Sequence, residues 1–400
     1  MKSAYIIDIL RTPIGRYGGA LSSVRPDDLA AWAIKKLLER NPQIDPELIE
    51  DVILGAANQA GEDNRNVARM ASLLAGLPIE TGGVTVNRLC ASGLQSIMDA
   101  SRGVMHEDGS IYIAGGVESM SRAPFVVAKS EQAFSREAQI FDTTIGWRFT
   151  NPKLSALHHP FAMGETAENV AEKWKISREQ QDEFGLNSQK KYFQAQKDKK
   201  FANEMVAVEV EQKKGPSLQV DTDENPRETS LEKLASLKPA FRKNGTVTAG
   251  NSSGINDGAA ASFVANEDAV KKHNLNPLVR VVSMAIAGVD PSCMGIGPIP
   301  ATKKALNRAG LKISDLGLIE LNEAFASQSL ACIKDLELDD SVINVNGGAI
   351  ALGHPLGCSG TRISATLIHE MQKRKVKYGL ATMCIGVGQG AAIIYENCNL

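Results

Sequence analysis

Two parts of this chain, one in each half, show the same order of helix and strand patterns. In both, an amphipathic stretch leads to an apolar run, then to a strand pattern ending in Val-Asn, and then to another helical pattern. The matching segments are 33–40 and 301–308, 52–54 and 318–321, and 84–87 and 343–346. This repetition predicts a duplicated α/β unit whose corresponding loops meet at one shared face. The alternative is that the two halves merely share a common helix–strand pattern.

Short apolar runs alternate with amphipathic stretches along the chain, as is typical of an α/β fold. The 400 residues, 43% of them hydrophobic, are enough for two or three packed units. Strands are predicted at residues 4–10, 52–54, 84–86, 111–114, 279–284, 318–321, 342–345, 379–384 and 391–395. Helices are predicted at residues 27–38, 91–105, 301–309, 324–336 and 361–373.

The segment between the two halves has a different character. Charged runs accumulate in residues 121–250, where helical patterns at 166–174 and 178–196 are the only clear regular elements. Inserted loops of this kind commonly bind ligands or partners, although most of the charged runs are interpreted as solvated surface. The predicted units are residues 1–120 with 251–276, an inserted loop domain at 121–250, and residues 277–400.

Net charge, hydrophobicity and cysteine content argue against a nucleic-acid-binding, membrane-spanning, zinc-binding or disulfide-rich protein. The net charge of −2 gives no electrostatic support for a nucleic-acid partner, and no apolar stretch is long enough to span a bilayer. The first residues lead into a strand pattern rather than a secretory leader, and the last ones are not a peroxisomal signal. The six cysteines include no Cys-x-x-Cys pair, so neither zinc ligation nor a disulfide framework is expected. We expect a cytoplasmic protein without a membrane partner.

Cys90 is the first candidate catalytic residue. It follows a predicted strand and directly precedes a helix whose apolar residues fall on one face. The free N–H groups and the dipole at a helix N-terminus favour a thiolate, so we expect the pKa of Cys90 to fall below its ordinary value of ~8.5. A lone free cysteine is more often an inert buried residue, and the assignment therefore needs partner residues.

His354 is the best partner for that thiol. It lies among five glycines and a proline in residues 346–360, a composition that predicts an irregular loop before a helix starting near Ser359. A histidine held in a rigid loop can accept a thiol proton. Three other histidines are interpreted as ordinary surface residues: His106, His273 and His369.

Two further candidates lie at the ends of predicted strands. Cys384 is followed by three alternating glycines, beginning at Gly386, whose N–H groups could hold an oxyanion. Their spacing is not that of a dinucleotide-binding loop. Asn322 follows the strand at 318–321, where its amide could orient a water or a carbonyl, and helix capping is the alternative role.

Together these segments resemble the thiolase family, the acetyl-CoA C-acyltransferases and 3-ketoacyl-CoA thiolases. Four motifs occur in the family's order: Cys90 with its flanks, residues 322–325, residues 347–355 and residues 384–386. The similarity extends from residue 5 to residue 396. The resemblance implies a five-layered α/β/α/β/α fold, built from two similar halves with an inserted loop domain. It also implies a homodimer or homotetramer.

The resemblance also implies a role for each candidate residue. Cys90 would accept the acyl group with His354 as its base, and Cys384 would handle the substrate Cα proton. Asn322 would hold a water that, with His354, stabilises one thioester oxygen. The N–H groups of Cys90 and Gly386 would form a second oxyanion hole, because the two half-reactions develop charge on different oxygens. No cofactor or metal is expected, since coenzyme A and acyl-CoA are substrates.

Two residues match family positions that bind the coenzyme A substrate. Ser253 matches a serine that touches the pantetheine arm, and Met163 matches a methionine near a short acyl group. Ala162 departs from the acetoacetyl-specific thiolases, which have a histidine at that position. Strict acetoacetyl specificity is therefore not expected.

Two stretches, 61–69 and 142–149, resemble the 3-oxoadipyl-CoA branch of the family. A dicarboxylic acyl tail requires a cation, which Arg148 or Arg65 could supply. The predicted reaction is cleavage of a 3-ketoacyl-CoA by coenzyme A to acetyl-CoA and a shortened acyl-CoA, and the reverse Claisen condensation. The substrate is expected to be 3-oxoadipyl-CoA or a fatty 3-ketoacyl-CoA.

Three alternative functions are considered. An acetoacetyl-CoA-forming acetyl-CoA C-acetyltransferase would use the same residues on a shorter substrate. A ketoacyl-carrier-protein condensing enzyme would use two histidines and one cysteine, so it would not need the thiol of Cys384. A thiolase-like acyl-CoA binding protein is the non-enzymatic alternative, and it would not need the nucleophile Cys90.

Overall fold

A computed structural model describes residues 2–400 of the chain. The strands are β1 (Ala4–Arg11), β2 (Gly15–Arg16), β3 (Ile49–Gly55), β4 (Gly82–Val86), β5 (Ile111–Ser119), β6 (Phe125–Val127), β7 (Ile140–Asp142), β8 (Val208–Val210), β9 (Leu218–Val220), β10 (Asn256–Asn266), β11 (Val279–Gly288), β12 (Leu318–Leu321), β13 (Tyr378–Ile385) and β14 (Gln389–Asn397).

The helices are α1 (Pro26–Arg40), α2 (Val67–Leu74), α3 (Ser92–His106), α4 (Pro152–Leu157), α5 (Met163–Trp174), α6 (Arg178–Lys197), α7 (Leu231–Ala235), α8 (Glu267–Lys272), α9 (Pro298–Ala309), α10 (Ala326–Leu336), α11 (Ala349–Leu352) and α12 (Leu356–Arg374). No helix within residues 2–400 is both long and apolar enough to cross a membrane.

The strand order confirms the duplication predicted from the sequence. The first half forms a sheet in the order β1-β10-β5-β3-β4, and the second forms β11-β14-β13-β12. In both halves the first two pairings are antiparallel and the third is parallel. The two sheets join through only two residue pairs between β1 and β11. A shared helix–strand pattern alone would not give the same order and sense of pairing twice.

Besides the short strands β2 and β6 to β9, which were not predicted, two segments differ from the sequence prediction. The segment 342–345 was expected to be a strand, but it follows a 3₁₀ turn at Asp340–Val342 and contributes only a single bridge, Ile319 to Ile343. β10 is absent from the predicted strands because its Ala-rich sequence lacks polar–apolar alternation. It lies between β1 and β5 with every residue buried. A strand that is covered on both faces does not need alternating polar and apolar residues.

The two faces of a single strand pack against different helices, which shows how the layers of the fold are arranged. In β3, Val52 packs with α1 and α2 on the outer side, whereas Ile53 packs with α3 and α12 on the inner side. In β14, Ile393 faces the same inner helices and Ile394 faces α9 and α10. Successive side chains of a strand point to opposite faces. The result is five layers: helices, sheet, the α3–α12 pair, sheet, and helices.

The central helices α3 and α12 touch backbone to backbone near their N-termini. A Cβ atom built on Gly360 would lie 2.1 Å from the Leu94 nitrogen, and one built on Gly93 would lie 2.7 Å from the Gly357 oxygen. Thr361 Oγ1 also donates to the Gly93 carbonyl at 3.0 Å. Because glycine has no side chain, the helix ends that follow Cys90 and His354 approach closely.

Buried ion pairs connect the inserted segment, residues 121–250, to the first half of the fold. Arg11 at the end of β1 is fully buried and donates from Nε to Glu204 at 2.6 Å and from Nη1 to Asp223 at 2.7 Å. The Asp223 carboxylate also accepts from the Ile14 N–H, and Glu204 accepts from Thr366 on α12. A buried ion network with these bonds satisfied fixes the orientation of the insertion on the sheet.

Candidate active site

Cys90 lies in a short 3₁₀ turn, Leu89–Ala91, between β4 and α3. The preceding Leu89 has a left-handed backbone with φ +47°, which is uncommon for a residue with a side chain. Asn87 holds this turn, since its Oδ1 accepts from the Leu89 N–H at 2.9 Å and its Nδ2 donates to the Ala57 carbonyl at 3.0 Å. The turn therefore aims the partly buried Cys90 away from the strand.

The pKa of Cys90 contradicts the expectation of a lowered value. Burial raises the pKa of this thiol to about 11, although hydrogen bonding from the N–H groups of Gly386 and Cys90 itself lowers it. The dipole of α3 acts through the intervening 3₁₀ turn, and removal of the thiolate from water outweighs it. Cys90 is therefore a neutral thiol at pH 7 in this structure.

Cys384 and Gly386 lie beside that thiol. Cys384 is fully buried near the end of β13, and burial, with a smaller contribution from nearby Cys90, raises its pKa well above the ordinary value. A Cβ built on Gly386 would lie 3.2 Å from Leu89 Cδ1 and 3.5 Å from Met163 Sδ. Met163 also packs against the apolar cluster that contains Cys384. These residues come from three distant segments and lie next to one another.

The imidazole of His354 is held in one tautomer. Ser359 Oγ lies 2.6 Å from His354 Nδ1 and donates its own proton to the Pro355 carbonyl at 2.8 Å. Since a hydroxyl has one proton to give, Nδ1 must carry the proton that it donates to Ser359. The lone pair of Nε2 is then free to accept.

His354 is also neutral. Burial and the nearby Arg362 cation lower the pKa of His354 to about 3. Within residues 2–400 the polar partners of its ring are Asn322 and Ser359, and no hydrogen bond joins it to a thiol. Catalytic hydrogen bonds are often loose before substrate binds. The ring is thus a neutral acceptor held at the pocket.

Asn322 lies between the ring and a buried arginine. Its Nδ2 is 3.4 Å from His354 Nε2, and its Oδ1 accepts from Arg362 Nη2 at 3.4 Å. The Asn322 N–H donates to the Thr382 carbonyl at 3.0 Å, next to the strand segment that ends with Cys384. The side chain is fully buried, and it bonds the ring and the guanidinium rather than capping α10.

Ser253 lies on the segment that flanks Asn322. Its N–H donates to the Ala324 carbonyl at 3.0 Å, and the neighbouring Ser252 bridges Phe325. The side chain of Ser253 is partly exposed, so it remains available to a ligand. The seven predicted site residues thus come from segments that the fold brings to the same ends of β4, β12 and β13.

Sequence reasoning missed three residues that shape the site: Ser359, Arg362 and Glu320. Ser359 lies five residues after His354 and Arg362 eight, a spacing that would have placed both near the ring once α12 was known to begin at Leu356. The interpretation of His369 as a surface residue is wrong. It is buried, and its Nε2 lies 2.9 Å from the Ile9 carbonyl.

Within residues 2–400 no three His, Cys, Asp or Glu side chains are grouped so that they could hold a metal ion. Cys90 packs against apolar side chains and lies near the thiol of Cys384, and the amide of Asn322 contacts the imidazole of His354. Such a set suits acyl transfer to sulfur, with proton acceptors and oxyanion donors nearby.

Two family models match almost the whole chain. The thiolase N-terminal domain matches residues 4–268, and the thiolase C-terminal domain matches residues 275–397. The boundary between the two matches falls between β10 and β11, where one half of the fold gives way to the other.

The chain is also similar to named relatives over its full length. It is 57% identical over 399 residues, 99% of this chain and 100% of the relative, to the 3-oxoadipyl-CoA/3-oxo-5,6-dehydrosuberyl-CoA thiolase of Escherichia coli. The crystal structure of the Bacillus anthracis acetyl-CoA acetyltransferase matches with a TM-score of 0.93 and 40% identity, covering 99% of each chain. Human mitochondrial 3-ketoacyl-CoA thiolase in complex with CoA matches with a TM-score of 0.92 and 44% identity, covering 99% of this chain and 98% of the other.

Proposed function

This chain belongs to the thiolase family, and on that premise we propose that its substrate is 3-oxoadipyl-CoA. It is an acyltransferase that cleaves a 3-ketoacyl-CoA with coenzyme A to acetyl-CoA and an acyl-CoA shortened by two carbons. The observation that carries the choice of substrate is the hydrogen bond from Arg148 to the Asn58 carbonyl, one residue from the Ala57 carbonyl that accepts from Asn87 of the Cys90 turn.

In the proposed reaction, the Cys90 thiol gives its proton to Nε2 of His354 and attacks the 3-keto carbon. The bond between C2 and C3 then breaks, and its electron pair leaves as the enolate of acetyl-CoA. Cys384 protonates this enolate, and the resulting thiolate takes the proton of incoming coenzyme A. Coenzyme A attacks the acyl group on Cys90, whose sulfur recovers its proton from His354. Cys90, His354 and Cys384 therefore regain the protonation states in which they began, and acetyl-CoA gains one proton, which coenzyme A replaces on Cys384.

Two sets of donors support the negative charge that develops. The N–H groups of Cys90 and Gly386 lower the pKa of the Cys90 thiol, and we propose that they stabilise the oxygen of the acyl group on that sulfur. The amide of Asn322 and the ring of His354 would stabilise the enolate oxygen, through a water. Donors fixed in a buried pocket stabilise such charge more than water does.

The nucleophile assignment is tested by replacing Cys90 with alanine. Because acyl transfer requires a covalent acceptor, we expect C90A to reduce the rate of thiolysis by at least about 10³-fold. The rate is followed as loss of absorbance of the magnesium–3-ketoacyl-CoA complex after adding coenzyme A. The matched control is C398S, at an exposed cysteine, which should keep the wild-type rate. An active C90A enzyme would overturn the assignment.

Arg148 is better placed than Arg65 to hold the terminal carboxylate. Arg148 Nη2 donates to the Asn58 carbonyl at 3.2 Å, next to the Ala57 carbonyl that Asn87 holds. Trp147 beside it donates to the Phe161 carbonyl at 3.0 Å, close to Met163. Arg65 is exposed and instead lines an open cleft of about 760 Å³ on the outer surface.

The substrate proposal is tested with R148A. A charge-assisted hydrogen bond to a carboxylate contributes about 1.5–3 kcal/mol, so kcat/KM for 3-oxoadipyl-CoA should fall about 10–100-fold. The rate with acetoacetyl-CoA, which lacks that carboxylate, should change less than about threefold. R65A is the matched control and should leave both rates unchanged. Equal losses on both substrates in R148A would contradict the assigned role.

Ser253 and Met163 are proposed to contact the substrate. The partly exposed Ser253 could meet the pantetheine arm, since its segment flanks Asn322. Met163, close to both Gly386 and the Cys384 cluster, would contact the acyl group. Ala162, where acetoacetyl-specific thiolases have histidine, leaves more room for a longer acyl chain. A fatty 3-ketoacyl-CoA is the second candidate substrate on that observation.

A second copy of the chain is proposed to cover the free edge of the first sheet. β4 is the last strand in the order and pairs only with β3, and Val84 on it and Ile79 just before it are exposed apolar residues. An unpaired strand edge with apolar side chains favours association. The β6–β7 hairpin, with Phe125 and Ile140 exposed, could join two dimers. Sedimentation equilibrium would distinguish a dimer from a tetramer.

We also propose that the enzyme works in the cytoplasm without a resident cofactor or metal. Supporting this proposal, all six cysteines are free, as expected in a reducing compartment. The proposed steps move only protons and acyl groups between sulfur and carbon, so coenzyme A is needed only as a substrate.

A further inference from the structure

Arg362 on α12 has no role in the reaction as proposed, although it lies directly behind the Asn322–His354 pair. Its side chain is fully buried, and its Nη1 is 3.7 Å from Glu320 Oε2, beyond hydrogen-bonding distance. Within residues 2–400, its Nε and Nη1 have no hydrogen-bond partner. A guanidinium has five N–H donors and is costly to bury unbonded. Its single hydrogen bond to a side chain is the one to Asn322.

We propose that Arg362 is a positioning residue for the proposed oxyanion pocket. Its guanidinium fixes the amide of Asn322 with Nδ2 toward His354, and it presents a fixed positive charge behind the position of the enolate oxygen. This inference rests on the proposed roles of Asn322 and His354.

The donor-only character of arginine determines which way the amide faces. Arg362 Nη2 can only donate, so the atom of Asn322 that it meets at 3.4 Å must be Oδ1. Nδ2 then faces the ring of His354. The backbone of Asn322 is held by β13, which leaves rotation of the amide as its remaining freedom. Without Arg362 the amide could turn its acceptor oxygen toward the enolate and repel it.

The charges around Arg362 leave its positive charge directed at the pocket. Burial raises the pKa of Glu320 to about 8, so that carboxyl is protonated at pH 7 and does not neutralise the guanidinium. The cluster of Arg11 with Glu204 and Asp223 has one more carboxylate than cations, and Glu204 and Arg11 of this cluster shift the pKa of Arg362 in opposite directions. The thiol of Cys358 also lies near Arg362.

A double-mutant cycle tests the proposal: wild type, R362Q, N322A and R362Q/N322A, with kcat and KM measured for thiolysis of 3-oxoadipyl-CoA. Removing one oxyanion donor costs about 10²–10³-fold in kcat, so losing its orientation should cost R362Q about 10–100-fold. In the N322A background there is no amide to orient, and the same change should cost less than about threefold. KM for coenzyme A should stay within about threefold throughout.

Two results would overturn the proposal. One is a kcat of R362Q within about threefold of wild type. The other is an equal loss from R362Q in both backgrounds, which is what a structural role predicts. If N322A itself kept the wild-type kcat, the proposed oxyanion pocket would fail instead, so the two failures are distinguishable.

The control is R374Q on the same helix, where Arg374 is half-exposed and pairs with Glu370. It should keep kcat within about twofold. If R362Q does not fold, R362K replaces it in the cycle, because lysine keeps the buried charge but lacks the planar fork that reaches Asn322. R362K should lose kcat only where Asn322 is present, and the proposal fails if the loss is the same in N322A.

Discussion

At the scale of single residues, burial decides the charge of the site. Cys90, Cys384 and His354 are all held in their neutral forms, because taking each group out of water disfavours its ion. In the proposed reaction, charge therefore appears only when a proton moves from the Cys90 thiol to the His354 imidazole. The N–H groups of Gly386 and Cys90 are already in place to receive it.

Val387 has a strained backbone next to Gly386, whose N–H group is proposed to stabilise an oxyanion. Its φ is +61°, and Gly388 after it has φ +78°. Both residues lie in the three-residue loop 386–388 of the hairpin between β13 and β14, since Ile385 pairs with Gln389. A β-branched side chain in the left-handed region is an outlier, and the turn holds the adjacent Gly386 peptide.

We expect V387G to remove this strain. The left-handed penalty of about 1–2 kcal/mol is offset only in part by the greater flexibility of unfolded glycine, about 0.5–1 kcal/mol. The melting temperature of V387G should therefore match or exceed that of wild type. V387A, which keeps a Cβ, is the control and should melt below V387G. The opposite order in calorimetry would show that the turn is not strained.

At the scale of elements, the crossing of α3 and α12 brings together the helix ends that follow Cys90 and His354, the proposed nucleophile and its base. Each helix follows one of the two residues, and the glycines at the crossing set how far apart the helices lie. A side chain inserted at this crossing would push the two helices apart. We therefore expect it to lower both the stability and the activity of the protein.

G360A should separate the two helices. The new Cβ would lie 2.1 Å from the Leu94 nitrogen, which is backbone and cannot turn aside, so we expect a loss of about 2–3 kcal/mol and reduced kcat/KM. G103A on α3 is the matched control: its Cβ would lie 3.0 Å from the Tyr112 ring, and alanine gains about 1 kcal/mol in helix propensity. Denaturant unfolding measures both, and equal losses would contradict the close crossing.

At the scale of the whole molecule, buried carboxyls tie stability to pH. Burial raises the pKa of Glu118 to about 7 and of Glu320 to about 8, from an ordinary value of 4.5. Between these values the folded chain holds protons that the unfolded chain has released. The protonated carboxyls of Glu118 and Glu320 therefore make their full contribution to the free energy of unfolding below about pH 4.5. This contribution is lost as the pH rises through 7 to 8.

E320Q should remove the part of this loss due to Glu320, because an amide cannot ionise. The difference in melting temperature between E320Q and wild type should be more favourable to E320Q at about pH 8.5 than at about pH 5.5. E118Q is the contrast: three backbone N–H groups donate to the Glu118 carboxylate, so E118Q should lose stability at both pH values. A pH-independent difference for E320Q would show that Glu320 is not buried in its neutral form.

The sequence by itself determined the duplicated α/β plan and singled out the candidate site residues. Repeated helix–strand order in the two halves predicted a duplicated unit, and the structure has the same strand pairing twice. Cys90, His354, Cys384 and Asn322 could be singled out because thiols, an imidazole and an amide follow strand ends or glycine-rich loops. Such local signals come from neighbours in the chain, which a sequence displays.

Only the tertiary structure decided the electrostatics of the site and the residues behind it. The pKa of Cys90 rises rather than falls because desolvation depends on everything packed around the sulfur, not on the helix that follows it. Ser359, Arg362 and Glu320 bear on His354 and Asn322 across strands and helices that meet only in the fold. Burial and long-range charge are properties of packing, and no local pattern of residues encodes them.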